Sequence, residues 1–229
     1  MDKLLYLPLL PLMVTLGSYL LGLWCQKKVK HSLCNPFLIA VVLVGGFLIA
    51  SKLPMENYQA GMDAIGWLIT PVTVCLAVPL YEQLKVLRKN LPAILAGIAA
   101  GALSCLIMVL GLAAVFSLNR ELTVSLLPKS ITTAVGMAVS SQNGGIPSLT
   151  AGAIAITGLV GILLGPVLCK LFHIEDPVSQ GVAYGTSCHV IGTSKATQID
   201  PLCGAVSSLS LVVAALLTTA VLPVVCMWI

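Results

Sequence analysis

Charge is scarce in this 229-residue sequence. Asp, Glu, Lys and Arg make up 9% of it, against 58% hydrophobic residues. Aromatic residues are equally sparse at 5%, and none interleave with a basic patch, so the net charge of +4 does not point to nucleic acid. No hydrophilic stretch exceeds about a dozen residues, which leaves no room for a separate soluble domain. No GxSxG, HExxH or Walker loop occurs, and no convincing pair of carboxylates, so nothing points to an enzyme or to a bound cofactor. The eight cysteines are scattered over different apolar segments without a CxxC pair, which argues against a disulfide or metal framework.

What is there is apolar length. Mean hydropathy is +1.04, and hydrophobic stretches recur at about 4–24, 36–50, 65–80, 91–116, 122–140, 146–172, 178–195 and 203–229. The first, fourth, sixth and last are the strongest, at or near the roughly 20 residues needed to span a bilayer. Pro71 and Pro79 split the third, while the fifth and seventh carry too much Ser, Thr, Gly and charge to face lipid as ordinary helices. The expected fold class is an all-α polytopic membrane protein, one domain over 1–229. It has about seven to eight hydrophobic segments, discontinuous or re-entrant helices among them.

The opening run ends in Trp24-Cys25-Gln26-Lys27-Lys28 without a small-residue cleavage site, so it reads as a retained helix rather than a signal peptide. Lys27, Lys28 and Lys30 follow it, and Lys85, Arg88 and Lys89 follow the third segment. The positive-inside rule places both clusters in the cytoplasm and the N-terminus outside a cell membrane crossed several times. A re-entrant hairpin over 122–145 would leave Lys170 on the cytoplasmic side, a single span would leave it outside, and the hairpin is favoured. Gly97-xxx-Gly101 and Gly161-xxx-Gly165 let neighbouring backbones approach; packing within the chain is the expected use, with a homo-oligomer face as the alternative.

Lys129 carries the strongest functional signal. On insertion scales a lysine at membrane depth costs about 2.5–3.5 kcal/mol, so it faces a polar cavity or a partner. Pro128 precedes it, Ser130, Thr132 and Thr133 follow, and Asn143, Gly144 and Gly145 close the segment before Pro147. A helix, a break and a return would present free N–H groups, hydroxyls and an ammonium to a small carboxylate. The bland alternative is a snorkelling lysine with hydroxyls bonded to their own helix. A second segment, 181–195, is dense in Gly and hydroxyls and holds His189, Gly192 and Thr193. His189 is a candidate for binding a carboxylate or carrying a coupled proton. Cys188-His189 as a metal or nucleophile pair is weak, because adjacent helical residues diverge and no further ligands lie near. Glu82 reads first as a structural partner of Lys85 or Arg88 and second as a proton carrier. Asn35-Pro36 reads as a helix cap or as a wall of the polar site.

Several of these stretches occur in the order found in one family. Asn35-Pro36, Pro79-Leu80-Tyr81-Glu82-Gln83, Leu127 to Thr133, Gly144-Gly145-Ile146-Pro147, Gly185 to Thr193 and Ala205 to Leu209 together resemble the LrgB/CidB family over almost the whole chain. The family pattern usually has Ala at Cys188 and Pro or a small residue near Ala134; the first departure argues against thiol chemistry. The resemblance implies two overlapping roles. One is regulation of murein hydrolase activity and autolysis, with a small holin-like LrgA/CidA-type membrane partner. The other is movement of small carboxylates, such as glycolate, glycerate, pyruvate or lactate. A cationic polar site between broken helices favours the transporter, with the regulator as the alternative. Meeting of the two polar segments at mid-membrane, as in inverted-repeat transporters, is analogy, because no repeat is visible in the sequence.

Overall fold

The computed structural model describes residues 9–29, 36–75 and 77–229. Among these residues the structure is helical without strands, and the chain divides into two compact units, Met1–Cys75 and Leu76–Ile229.

The first unit contains α1 (Leu9–Val29), α2 (Pro36–Ser51) and α3 (Met55–Cys75). At Gly22 the first two helices touch: an added Cβ would come within 2.7 Å of Pro36 Cα. The Thr15 and Tyr58 hydroxyls bond at 2.8 Å and join α1 to α3. In the last turn of α1, Lys28 sits over the Trp24 ring, 5.1 Å from its centroid. An aromatic ring beneath a snorkelling cation suits a membrane–water interface. Helix α3 starts ten residues ahead of the apolar stretch that opens at Ile65, because Leu53-Pro54 ends the preceding turn and Glu56 falls in its first turn. Asn35 lies outside the described residues.

The second unit runs through α4 (Ala77–Glu82), α5 (Leu84–Val115), α6 (Arg120–Leu126), α7 (Thr133–Gln142), α8 (Pro147–Leu171), α9 (Pro177–Ile199) and α10 (Pro201–Cys226). Lys85, Arg88 and Lys89 lie in the first turns of the 32-residue α5 rather than in a loop. Four described helical stretches are long and apolar enough to cross a membrane: Leu9–Lys28, Leu84–Val115, Pro147–Leu171 and Pro201–Cys226. They correspond to the four strongest stretches in the sequence. The segment 122–140 becomes two short helices, α6 and α7, of 7 and 10 residues. At about 1.5 Å per residue neither reaches across a hydrocarbon core of about 30 Å.

Apolar cores form where α5 and α10 meet their neighbours. Ile94 and Ile98 of α5 pack with Val206 and Ala214 of α10. Farther along, Leu106 and Val109 meet Val124, Leu127, Val139 and Leu222. Three helix ends close in the same way. After α5 the N–H of Leu118 bonds the Ala113 carbonyl and that of Ser117 bonds Ala114. The same pairing joins Gly145 to Ser140 and Gly144 to Ser141 after α7, and Ile174 to Cys169 and His173 to Lys170 after α8. These are Schellman closures, with Ser117, Gly144 and His173 at positive φ.

Candidate functional site

Helix α9 lies at the centre of the second unit, seated in notches made by missing side chains. On α8, Gly158, Gly161 and Gly165 lie on one face at helical spacing. They receive His189, Cys188 and Tyr184 respectively, and an added Cβ at Gly158 would come within 2.7 Å of His189 Cε1. A Cβ added at Gly97 or Gly101 of α5 would come within 3.1 Å of Val182 or 3.0 Å of Thr186. On the third side the glycines belong to α9 itself: a Cβ on Gly181 would come within 2.7 Å of the Cys203 carbonyl, and one on Gly185 would strike the Ser207 carbonyl. Both small-residue motifs seen in the sequence therefore serve packing within the chain.

The helix is not continuous. His189 breaks it with φ 44 and ψ −143, a conformation that strains any residue with a Cβ. Its imidazole holds the break in place: Nε2 bonds the Ile154 carbonyl of α8 at 2.8 Å, with the ring 3% exposed. A carbonyl only accepts, so this nitrogen carries the proton. Beyond the break, Thr193 donates to the His189 carbonyl at 3.1 Å and lies 2.9 Å from the Ser207 hydroxyl of α10. Asp176 caps the start of α9 on Ser179, and those hydrogen bonds hold its carboxyl below its ordinary pKa.

The second break falls between α6 and α7. Pro128 has no N–H to continue a helix, so 127–130 turn instead, with Lys129 N–H on the Leu126 carbonyl and Ile131 N–H on Pro128. Ser125 ties this region to α8: its hydroxyl accepts from Ile146 N–H at 2.7 Å, while Thr150 lies 2.8 Å from both the Ser125 carbonyl and the Ser140 hydroxyl.

Lys129 and Ser130 open from that turn onto a cleft of about 600 Å³ walled by α5, α8 and α9. Its α8 wall, with Ile156, Val160, Leu164 and Leu168, is apolar and exposed. Among the described residues lining it, Lys129 is the only charged one. The ammonium lies 3.4 Å from the Ser130 hydroxyl, and among the described residues no carboxylate pairs with it. Most other hydroxyls in the cleft already donate: Ser130 to Cys105 Sγ, Thr157 to the Ala153 carbonyl and Ser187 to that of Ala183. An apolar cleft with one unpaired cation is suited to a small organic anion.

The profile of the LrgB-like family matches residues 15–228 of this sequence. The chain belongs to the LrgB-like family. It is similar to the uncharacterized protein YwbG of Bacillus subtilis (strain 168), 32% identical over 218 residues that cover 95% of this chain and 97% of that protein. No solved structure matches. With its apolar helices, this LrgB-like chain is a membrane protein.

Of the candidate substrate-binding residues in the LrgB-like sequence, only Lys129 and Ser130 line this cleft. Thr132 is the N-cap of α7 without a side-chain cap bond, and Thr133 follows it, exposed. Asn143 donates to Val139 at the end of α7 and, with Gly144, borders a separate cleft beside Arg120. At Gly145 a side chain would strike the Ser140 hydroxyl. Gly192 sits just past the break of α9, where a Cβ would come within 2.8 Å of the Tyr184 carbonyl. His189 and Thr193 are buried in helix-to-helix hydrogen bonds. Glu82 is exposed at the end of α4, and among the described residues no ion pair joins it to Lys85 or Arg88. Tyr184, Thr157 and Ser187 line the cleft but were not singled out. Thr157 had a faint signal, as a hydroxyl in the middle of an apolar helix. Among the described residues no three of His, Cys, Asp or Glu gather as metal ligands would.

Proposed function

We propose that this LrgB-like protein is a secondary transporter of small monocarboxylates, acids of the glycolate, glycerate, lactate and pyruvate type. The observation that carries the reading is Lys129: an ammonium at a helix break, without a carboxylate partner among the described residues and the sole charge among those that line an apolar cleft. Its long-range attraction is strong there because apolar walls screen it less than water would. Ser130 beside it supplies a hydroxyl oxygen, and the start of α7, three residues on, adds the positive end of a helix dipole. The contact set is narrower than the sequence implied, since His189 and Thr193 serve the break in α9. The proposed location is the cell membrane, with the basic ends of α1 and α5 in the cytoplasm.

The test is uptake of labelled glycolate, lactate and pyruvate into proteoliposomes, with and without an inward proton gradient. Wild type is run beside Lys129→Ala, after both are shown to be folded. Saturable uptake is expected in wild type. Its affinity should fall about tenfold to a hundredfold in the variant, as loss of a charge-assisted hydrogen bond implies. Uptake equal in the two proteins would remove Lys129 from the site. No uptake by wild type, alone or with a small LrgA/CidA-type partner, would favour regulation of murein hydrolases instead.

A further inference from the structure

Behind the cleft of Lys129 lies a smaller space. It holds about 10 Å³ of room between α5, the turn after α6, α9 and α10, roughly what a single water needs. Its lining residues are buried except Cys105, which is half-buried, so this is an internal cavity rather than a surface groove. Cys105 and Ser130 line both spaces and form the partition between them. Alanine, leucine and isoleucine supply the other walls, apart from Thr186 of α9 and Thr218 of α10.

Thr218 is the odd hydroxyl of its helix. Ser208, Ser210 and Thr219 each donate to the carbonyl four residues back, and Ser207 pairs with Thr193. The Thr218 hydroxyl makes no hydrogen bond among the described residues, although the residue is 5% exposed. Tyr184 holds the one fully covered side-chain oxygen or nitrogen there that lacks a partner. The Thr218 oxygen therefore keeps some open surface, and the cavity is the space that Thr218 borders. Buried hydroxyls in native folds almost always have a partner, in protein or in ordered water.

The two other hydroxyls have capacity to spare. Thr186 gives its proton to the Val182 carbonyl at 2.7 Å, which leaves its oxygen able to accept. Ser130 donates to Cys105 Sγ, 3.5 Å away, a weaker acceptor than a water oxygen. Three hydroxyls from three elements match the roughly three hydrogen bonds that a buried water makes. A sodium ion suits the place poorly: no carboxylate lines it, and the Lys129 ammonium lies 3.4 Å from the Ser130 oxygen. We infer that the cavity is the site of one water, held by Thr218, Thr186 and Ser130. By taking the Ser130 proton, that water keeps the Ser130 oxygen turned to the Lys129 ammonium, which makes Thr218 a positioning residue for the cation of the cleft. The positioning role rests on the monocarboxylate reading; the water site does not.

Two measurements separate these parts. The first is a wild-type structure fine enough to show ordered waters. One water is expected within hydrogen-bond distance of the Thr218, Thr186 and Ser130 oxygens, and a site without it would overturn the inference whatever the protein transports. A thermal midpoint that sodium chloride raises and choline chloride does not, in wild type but not in Thr218→Val, would put a cation there and overturn it as well. The second is lactate uptake by proteoliposomes of wild type, Thr218→Val, which trades the hydroxyl for a methyl, and Thr218→Ser, which keeps it. The half-saturating lactate concentration should rise about threefold to tenfold in Thr218→Val, the size of one lost hydrogen bond, with the maximal rate unchanged. Thr218→Ser should restore the wild-type value, which a packing role for the side chain would not allow. Equal affinity in Thr218→Val, or a loss shared by Thr218→Ser, would overturn the positioning role. A wild type that carries no lactate would remove the transport reading, and the water site would still stand or fall on the structure.

Discussion

His189 and Lys129 are both basic residues next to helix breaks, and their surroundings separate them. Lys129 projects from the turn after Pro128 into open volume, whereas the His189 ring fills the Gly158 notch with its Nε2 on the Ile154 carbonyl. Removing that ring loses this hydrogen bond, empties the Gly158 notch and leaves a strained backbone unsupported. His189→Ala is therefore expected to lower stability by about 1–3 kcal/mol, read as a fall in the unfolding midpoint in detergent. An unchanged midpoint would mean that the break holds itself. Lys129 was legible in the sequence because an intramembrane lysine needs a reason to be there. The job of His189 was not, because its partner is a main-chain carbonyl 35 residues away, and any residue type carries one. Thr218 was passed over for a similar reason: a threonine among apolar residues looks like packing until its hydroxyl is seen to lack a partner.

At the level of elements, α9 owes its central place to glycine rather than to hydrophobicity. At Gly161 a side chain would fall on Cys188 Sγ. Gly161→Ala is expected to destabilise by about 1–3 kcal/mol through overpacking, and Cys188→Ala in the same chain should recover part of that loss, since the Cβ at position 188 still lies 2.8 Å from the added methyl. Thermal unfolding of the two single variants and the double variant checks this, and additive losses would show that the residues do not share the space. The glycine motifs pointed correctly to close helix contacts, but spacing alone could not say which helix each would meet. Likewise, Pro128 and Gly144-Gly145 marked the ends of short helices, and the sequence fused those helices into one stretch because hydropathy averages across a break. One rule covers these cases: residues with no side chain, or with a ring instead of an N–H, decide where helices stop and touch.

For the whole molecule, the four strongest apolar stretches matched helices long enough to cross a membrane, and the more polar stretches supply Lys129, Ser130 and the α9 wall of the cleft. Hydropathy measures aversion to water and does not distinguish a lipid neighbour from a protein one, so only the extreme segments could be read outright. The proposed orientation has its own check. A single cysteine placed at position 28 by Lys28→Cys in an otherwise cysteine-free chain should react with an impermeant thiol reagent only from the cytoplasmic side. Labelling from outside would invert the assignment. The Schellman closures after α5, α7 and α8 have a further consequence. Each turn answers its own last carbonyls with N–H groups from the next two or three residues, Ser140 and Ser141 by Gly145 and Gly144 among them. Two answered carbonyls per bend lower the polar load that each corner carries, and the groups left over still call for headgroup, water or protein partners, which keeps these corners near an interface or against protein.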